Sequence, residues 1–238
     1  MMDFSPALFG RMSLTAAELA AIAPARGPLA PGRHPLGLAA ERDAVLFVPT
    51  GLDADADAPV PLLVFFHGAG GFPEKVLPFI EQHAERAKFL VLAPQSMFVT
   101  WDIVIGGHGP DLERTQAALR LVAGHYRIDT SRLAFAGFSD GASYALSTGI
   151  TNGDLASHVI AFSGGFMNIF SQQGAPKVFI AHGLIDEQLP IATSGRANAA
   201  SLQAAGYDVR YVEFNGLHII SPPIVSMAVD FYLDHPIS

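Results

Sequence analysis

Ser139 stands in Gly137-Phe138-Ser139-Asp140-Gly141, between the apolar run Leu133–Phe138 and the helix-compatible stretch Ala142-Ser143-Tyr144-Ala145-Leu146. A serine on a sharp strand-to-helix turn projects its hydroxyl out of a sheet, and glycines two residues to either side let strand and helix approach closely. The helix N-terminus behind it points N–H groups and positive potential at any negative charge formed there. This context, more than the five letters, marks Ser139 as a nucleophile.

A serine hydroxyl needs a base to take its proton, and a serine at such an elbow is followed along the chain by an acid and then a histidine. Of nine histidines, His218 and His235 lie comfortably downstream. His235 sits three residues from the last residue and reads as solvated. His218, in Asn215-Gly216-Leu217-His218, follows the last apolar run, where a loop at a strand's carboxyl end meets ligands. The acid is then Asp186, in the loop after Val178–Ala181, where its carboxylate would hold the imidazole tautomer. Glu187, Asp208 and Asp154 are its competitors and read better as surface carboxylates. His182 reads as structural or pocket-lining, and Ser163 as a strand-end turn that lines the site.

An acyl transfer also needs donors for the oxyanion. Leu62–Phe66 runs into His67-Gly68-Ala69-Gly70-Gly71, whose glycines let the backbone come close to a substrate. The N–H of Ala69 or Gly70, paired with that of Asp140, is the expected donor set, with His67 ordering the loop. The spacing is neither Gly-x-Gly-x-x-Gly nor a Gly-Lys-Ser/Thr phosphate loop. Gly106-Gly107-His108-Gly109 fails both patterns as well and reads as a surface turn. Phe72, Met97, Trp101 and Ile185, large apolar residues on loops at strand ends, are the candidate substrate-binding set. Trp101 leads it as the single tryptophan, placed in a long loop.

The elements that position these residues alternate. Apolar runs at Ala44–Pro49, Leu62–Phe66, Phe89–Ala93, Leu133–Phe138, Val159–Phe162, Val178–Ala181 and Val209–Phe214 read mostly as strands buried on both faces. Helical spacing falls between them at Lys75–Ala87, Asp111–Tyr126 (with Asp111 as N-cap), Ser194–Ala205 and Ile224–Leu233. The expected fold class is α/β: a doubly wound, mostly parallel sheet flanked by helices. Residues 1–40, rich in Pro and Gly, read as an N-terminal arm packed on the domain, with a short helix near Leu14–Ile22. Residues 41–238 read as a single catalytic domain, with an Asp/Ala-rich turn at Asp53–Ala58.

Composition narrows the function classes. In 238 residues, 50% are hydrophobic and 15% charged, enough apolar surface for one large core. The formal charge of -8, with no basic block, argues against nucleic acid and against an anionic membrane surface. The absence of cysteine excludes disulfides, thiolate metal sites and cysteine nucleophiles. No metal-ligand cluster of zinc or calcium type stands out. Met1–Arg11 lacks the pattern of a signal peptide and no apolar run is long enough to span a bilayer, so the expectation is a cytoplasmic chain. The oligomeric state is open, a homodimer included.

Taken together, these motifs are recognisable. From about Ala44 to its end the chain resembles the phospholipase/carboxylesterase branch of the α/β hydrolases, and more loosely the dienelactone-hydrolase and feruloyl-esterase-like groups. The resemblance rests on Pro61-Leu62-Leu63-Val64 leading to His67-Gly68, on the Ser139 pentapeptide, on His182-Gly183-Leu184-Ile185-Asp186 with Pro190 beyond it, and on Gly216-Leu217-His218. It implies a compact α/β-hydrolase with little or no lid, acting without a cofactor on short or medium acyl esters as small-molecule substrates. Three departures stand out. Asp140 occupies a position usually held by Gln, Leu217 one where Gly is common, and Ser139 the place of the dienelactone hydrolases' cysteine. The same three residues would also serve a thioesterase, an acyl peptidase or a feruloyl/polyester esterase. Functions of a different class are a slow-turnover ligand-binding receptor and a structural pseudoenzyme.

Overall fold

The computed structural model describes residues 9–52, 58–107 and 109–234. His235, His108 and most of the Asp53–Ala58 turn lie outside the described residues. Eight strands form one sheet: β1 (Gly32–Pro35), β2 (Val45–Val48), β3 (Val60–Phe66), β4 (Leu90–Ala93), β5 (Ile128–Phe138), β6 (His158–Phe162), β7 (Lys177–Gly183) and β8 (Val209–Phe214). Their order is β1-β2-β4-β3-β5-β6-β7-β8. β2 runs antiparallel to both β1 and β4, and every other pairing is parallel. The mixed, mostly parallel sheet with helices on both faces is the α/β-hydrolase fold expected from the sequence.

Alternation along β3 explains why the run is apolar throughout. Leu62, Val64 and Phe66 face one core, with Leu119 of helix α3 (Pro110–Ala123) and Tyr144 of α4 (Asp140–Thr151). Leu63 and Phe65 face the opposite core, with Ile80 of α2 (Pro73–Ala87) and Val225 of α6 (Pro222–Tyr232). A third cluster packs α4 and α5 (Gly195–Ala204) on β6 and β7 through Leu146, Ile150, Val159, Ile180 and Leu202. Because β3 to β8 are parallel, their carboxyl ends open on one edge of the sheet, and the loops of interest all lie there. None of the helices among the described residues is long and apolar enough to cross a membrane.

Two elements differ from the sequence reading. The arm carries α1 (Ala16–Ala21), closed by a Thr15/Glu18 capping box, but also the edge strand β1. Gly-Arg-His-Pro has no apolar signal because that edge strand alternates between half-buried and exposed positions. Asp111 is not an N-cap: Gly109 holds that position, Pro110 begins α3, and the Asp111 carboxylate turns inward to accept from the Met97 and Asp102 N–H groups at 2.7 and 2.8 Å. Pro110 favours the first helical position because its missing N–H would have no partner there, which moves the N-cap two residues upstream.

Candidate active site

Ser139 follows β5 and precedes α4 with φ 56° and ψ -122°, a left-handed conformation rare outside glycine. The neighbouring glycines make that turn feasible. A Cβ on Gly137 would lie 2.2 Å from the Gly141 carbonyl oxygen, and one on Gly141 would lie 2.1 Å from that of Phe66. The Ser139 N–H donates to Phe162 O at 3.0 Å, so the strained residue is tied to the next strand.

The structure brings the three sequence-selected side chains together. His218 Nε2 lies 2.9 Å from Ser139 Oγ, and His218 Nδ1 lies 2.7 Å from Asp186 Oδ2. The carboxylate can only accept, so Nδ1 carries the hydrogen and Nε2 presents its lone pair to the serine hydroxyl. The Phe138 ring packs against the imidazole with centroids 4.8 Å apart, which restricts its rotation.

Asp186 is buried and fully used. Its Oδ1 accepts from the N–H groups of Leu189 and Gln188 at 2.9 and 3.0 Å. Burial pushes this carboxyl up, but the hydrogen bonds from Leu189, His218 and Gln188 outweigh it and hold the group below the usual carboxylate range. It therefore stays charged where an imidazolium would form. His182 Nε2 adds a contact to Asp186 at 3.2 Å and donates to Leu189 O at 2.8 Å, a structural place for a buried histidine. Glu187 and Asp208 are exposed, and Asp154 pairs with Arg11 on the surface.

The loop after β3 narrows the oxyanion assignment. Gly70 N–H already donates to Val99 O at 2.7 Å, so it is not available to a substrate. Among the described residues, no internal acceptor takes the Ala69 or Asp140 N–H, which leaves those two groups as the candidate pair. Gly68 packs so close to Ser139 that a Cβ there would meet the serine Cβ at 3.3 Å. His67 is buried and orders the loop. Its Nδ1–H donates to Gly68 O at 2.7 Å, while Nε2 accepts from Gln95 Nε2 at 2.9 Å and Ser96 N–H at 3.2 Å. Burial lowers its pKa to about 4, so the ring is neutral at pH 7.

A second loop, after β4, braces the first, and the sequence reading missed it. Val99 O receives the Gly70 N–H, Thr100 Oγ1 donates to Asp140 Oδ2 at 2.6 Å, and Trp101 Nε1 donates to His67 O at 2.7 Å. The buried carboxylates of Asp102 and Asp111 lock this loop by accepting backbone N–H groups reciprocally. Spacing gave no signal of that reciprocity, since Asp111 reads as a helix N-cap and Asp102 as a residue of a long loop.

The pocket differs most from expectation. A cleft of about 600 Å³ opens beside His218, walled by Val76, Phe79, Phe138, Ile219 and Ile220 and floored by Gly68 to Gly71. None of Phe72, Met97, Trp101 and Ile185 lines it. Trp101 is wholly buried, stacked on Tyr144 at 4.7 Å and edge-on to Phe66, so it is a core anchor. Phe72 lines a separate hollow of about 430 Å³ behind the glycine loop, and Met97 and Ile185 are exposed outside the cleft. Ser163 is fully buried, and its hydroxyl has no partner among the described residues, so it does not line the cleft either. Phe79 was legible as an apolar α2 residue nearly two turns into the helix that follows the glycine loop, and Ile219 and Ile220 as the residues directly after the histidine.

Residues 114–233, just over half of the chain, match the phospholipase/carboxylesterase family model, a span that contains Ser139, Asp186 and His218. No curated protein sequence matches the chain. Among solved structures, esterase PE8 shares 20% identity at a TM-score of 0.63, covering 80% of this chain and 97% of its own. The Bacillus cereus carboxylesterase shares 19% at 0.61, covering 82% and 95%. The S-formylglutathione hydrolase FrmB of Staphylococcus aureus shares 15% at 0.65, covering 80% and 92%.

Proposed function

Since the chain belongs to the phospholipase/carboxylesterase family of α/β hydrolases, we propose that it hydrolyses carboxylic esters of short or medium acyl chain through Ser139, His218 and Asp186. The observation that carries this reading is the unbroken relay from Ser139 Oγ through both ring nitrogens of His218 to Asp186 Oδ2, at 2.9 and 2.7 Å.

In the first half-reaction Ser139 Oγ attacks the ester carbonyl carbon while His218 Nε2 takes the hydroxyl proton. The carbonyl oxygen becomes an oxyanion within reach of the Ala69 and Asp140 N–H groups, at the start of α4, where the helix field favours negative charge. The C–O bond to the alcohol breaks, and His218 returns the proton to the leaving oxygen. In the second half-reaction water attacks the acyl-serine as His218 takes its proton; the C–O bond to Ser139 then breaks, His218 returns the proton to Ser139 Oγ, and the carboxylic acid leaves. Asp186 stays ionised throughout and stabilises the imidazolium formed in each half.

Pre-steady-state hydrolysis of p-nitrophenyl butyrate tests this reading. Formation of an acyl-enzyme ahead of its hydrolysis gives a nitrophenolate burst approaching one equivalent per chain, lost in Ser139→Ala. Equal steady-state rates for wild type and Ser139→Ala would overturn it.

A further inference from the structure

One charged side chain enters the cleft wall, and the relay above has no use for it. Lys75 lies in the first turn of α2, next to Val76 and four residues before Phe79, and lines the cleft together with them and His218. A cation in a helix's first turn opposes the helix field, so its place there does nothing for α2. Lys75 also has no ion-pair partner among the described residues. Glu74, its neighbour, lines the separate hollow behind the glycine loop together with Arg42 and does not border this cleft. The Lys75 ammonium instead sits 4.7 Å from the centre of the Phe72 ring, at the border between the cleft and the hollow behind the glycine loop, with its hydrogen-bond donors open.

The cleft therefore combines an apolar wall, the oxyanion loop and one cation, on a protein whose formal charge of -8 otherwise repels anions. Esters with purely apolar arms would use the wall alone. Esters of small polar acids would leave its apolar side chains uncovered. The chemistry that uses all three features is an ester with a few apolar carbons ending in a carboxylate.

We propose that Lys75 makes the cleft selective for esters carrying one carboxylate on a short aliphatic arm. This inference rests on the esterase reading. The carboxylate pairs with the ammonium while the arm covers Val76 and Phe79, and the carboxylate's charge takes no part in the bond changes at Ser139. It can sit on the acyl side or on the alcohol side of the scissile bond.

The test compares kcat/KM for two matched pairs in wild type, Lys75→Met and Lys75→Glu. The acyl-side pair is p-nitrophenyl hydrogen glutarate against p-nitrophenyl valerate. The alcohol-side pair is the butyryl ester of 4-hydroxybutyrate against butyl butyrate, followed by acid release. Each variant's own neutral-ester rate is its reference, so a general loss of activity or folding cancels. In at least one pair the anionic-to-neutral ratio falls about three- to fivefold in Lys75→Met, the scale of an exposed ion pair, and further in Lys75→Glu. Raising the ionic strength lowers the wild-type ratio and leaves that of Lys75→Met unmoved. The pair affected identifies the side that carries the carboxylate. Ratios unchanged in both pairs would overturn the proposal while leaving the esterase reading intact. A wild type that hydrolyses none of the four esters would overturn both.

Discussion

Thr100 Oγ1 donates to the Asp140 carboxylate at 2.6 Å, joining the loop after β4 to the residue that follows the nucleophile. That bond engages one oxygen of the acidic side chain that replaces the family's usual Gln, and it fixes the first residue of α4. Hydrogen bonds to charged groups are each worth about 1.5–3 kcal/mol. Thr100→Val should lower kcat for a neutral ester about tenfold with little change in KM, and Thr100→Ser should restore most of it. Steady-state kinetics on both variants checks this, and equal kcat values in all three proteins would contradict it.

The glycines around Ser139 are steric requirements. Gly141→Ala would drive a Cβ to 2.1 Å from the Phe66 carbonyl oxygen, in a contact between two backbones that has no flexible partner to yield. We expect a loss of about 3 kcal/mol or more, near 10 °C in Tm for a domain of this size. Thermal unfolding measures it, and a Tm within about 2 °C of wild type would show that the elbow is looser than the contact implies.

Trp101 separates packing from substrate contact. Its ring is enclosed by Phe66, Tyr144 and His67, and its Nε1–H is used internally. Trp101→Ala should cost about 3–5 kcal/mol in urea unfolding. The protein that remains folded should keep its acyl chain-length preference. An altered preference without loss of stability would return Trp101 to the binding surface.

Buried histidines set part of the acid sensitivity. His158 packs edge-on against Phe231 and Tyr232, and burial lowers its pKa from 6.5 to about 4. The unfolded chain binds a proton there near pH 6.5, whereas the folded protein does so only near pH 4. The stability linked to His158 is therefore whole above about pH 6.5 and is lost progressively as pH falls toward 4. His67 acts in the same direction. Asp111 acts oppositely: burial, helped by the charge of Asp102, raises its pKa to about 6, so the folded protein holds a proton that the unfolded chain releases. His158→Phe removes one histidine contribution. Between pH 7 and 4.5 the Tm difference between His158→Phe and wild type should move in the variant's favour by about 5 °C, from a linkage on the order of 2 kcal/mol. A difference independent of pH would contradict the assignment.

What the sequence revealed follows from where its signals are local. The Ser139 pentapeptide could be read because its glycines, its strand and its helix are contiguous. Asp186 and His218 could be read because each follows an apolar run at the same edge of the sheet. Strand β1 could not, since an edge strand needs no apolar alternation and its partner lies ten residues away across Gly37 and Asp43. The roles of Trp101, Gly70 and Asp111 were hidden for a related reason. Each depends on contacts between the loops after β3 and β4, and sequence spacing does not encode which loop N–H meets which loop carbonyl. Placing a lone tryptophan in a pocket because it sits in a long loop overlooks that such a loop can be pinned from beneath by that same side chain.

Whether His218 and Asp186 activate Ser139 is read out by reaction with a fluorophosphonate followed by peptide mass mapping. One adduct per chain is expected, located on Ser139, absent in Ser139→Ala and formed at least about a hundredfold more slowly in His218→Ala. An adduct on another residue, or labelling of Ser139 that proceeds equally fast without the imidazole, would contradict it.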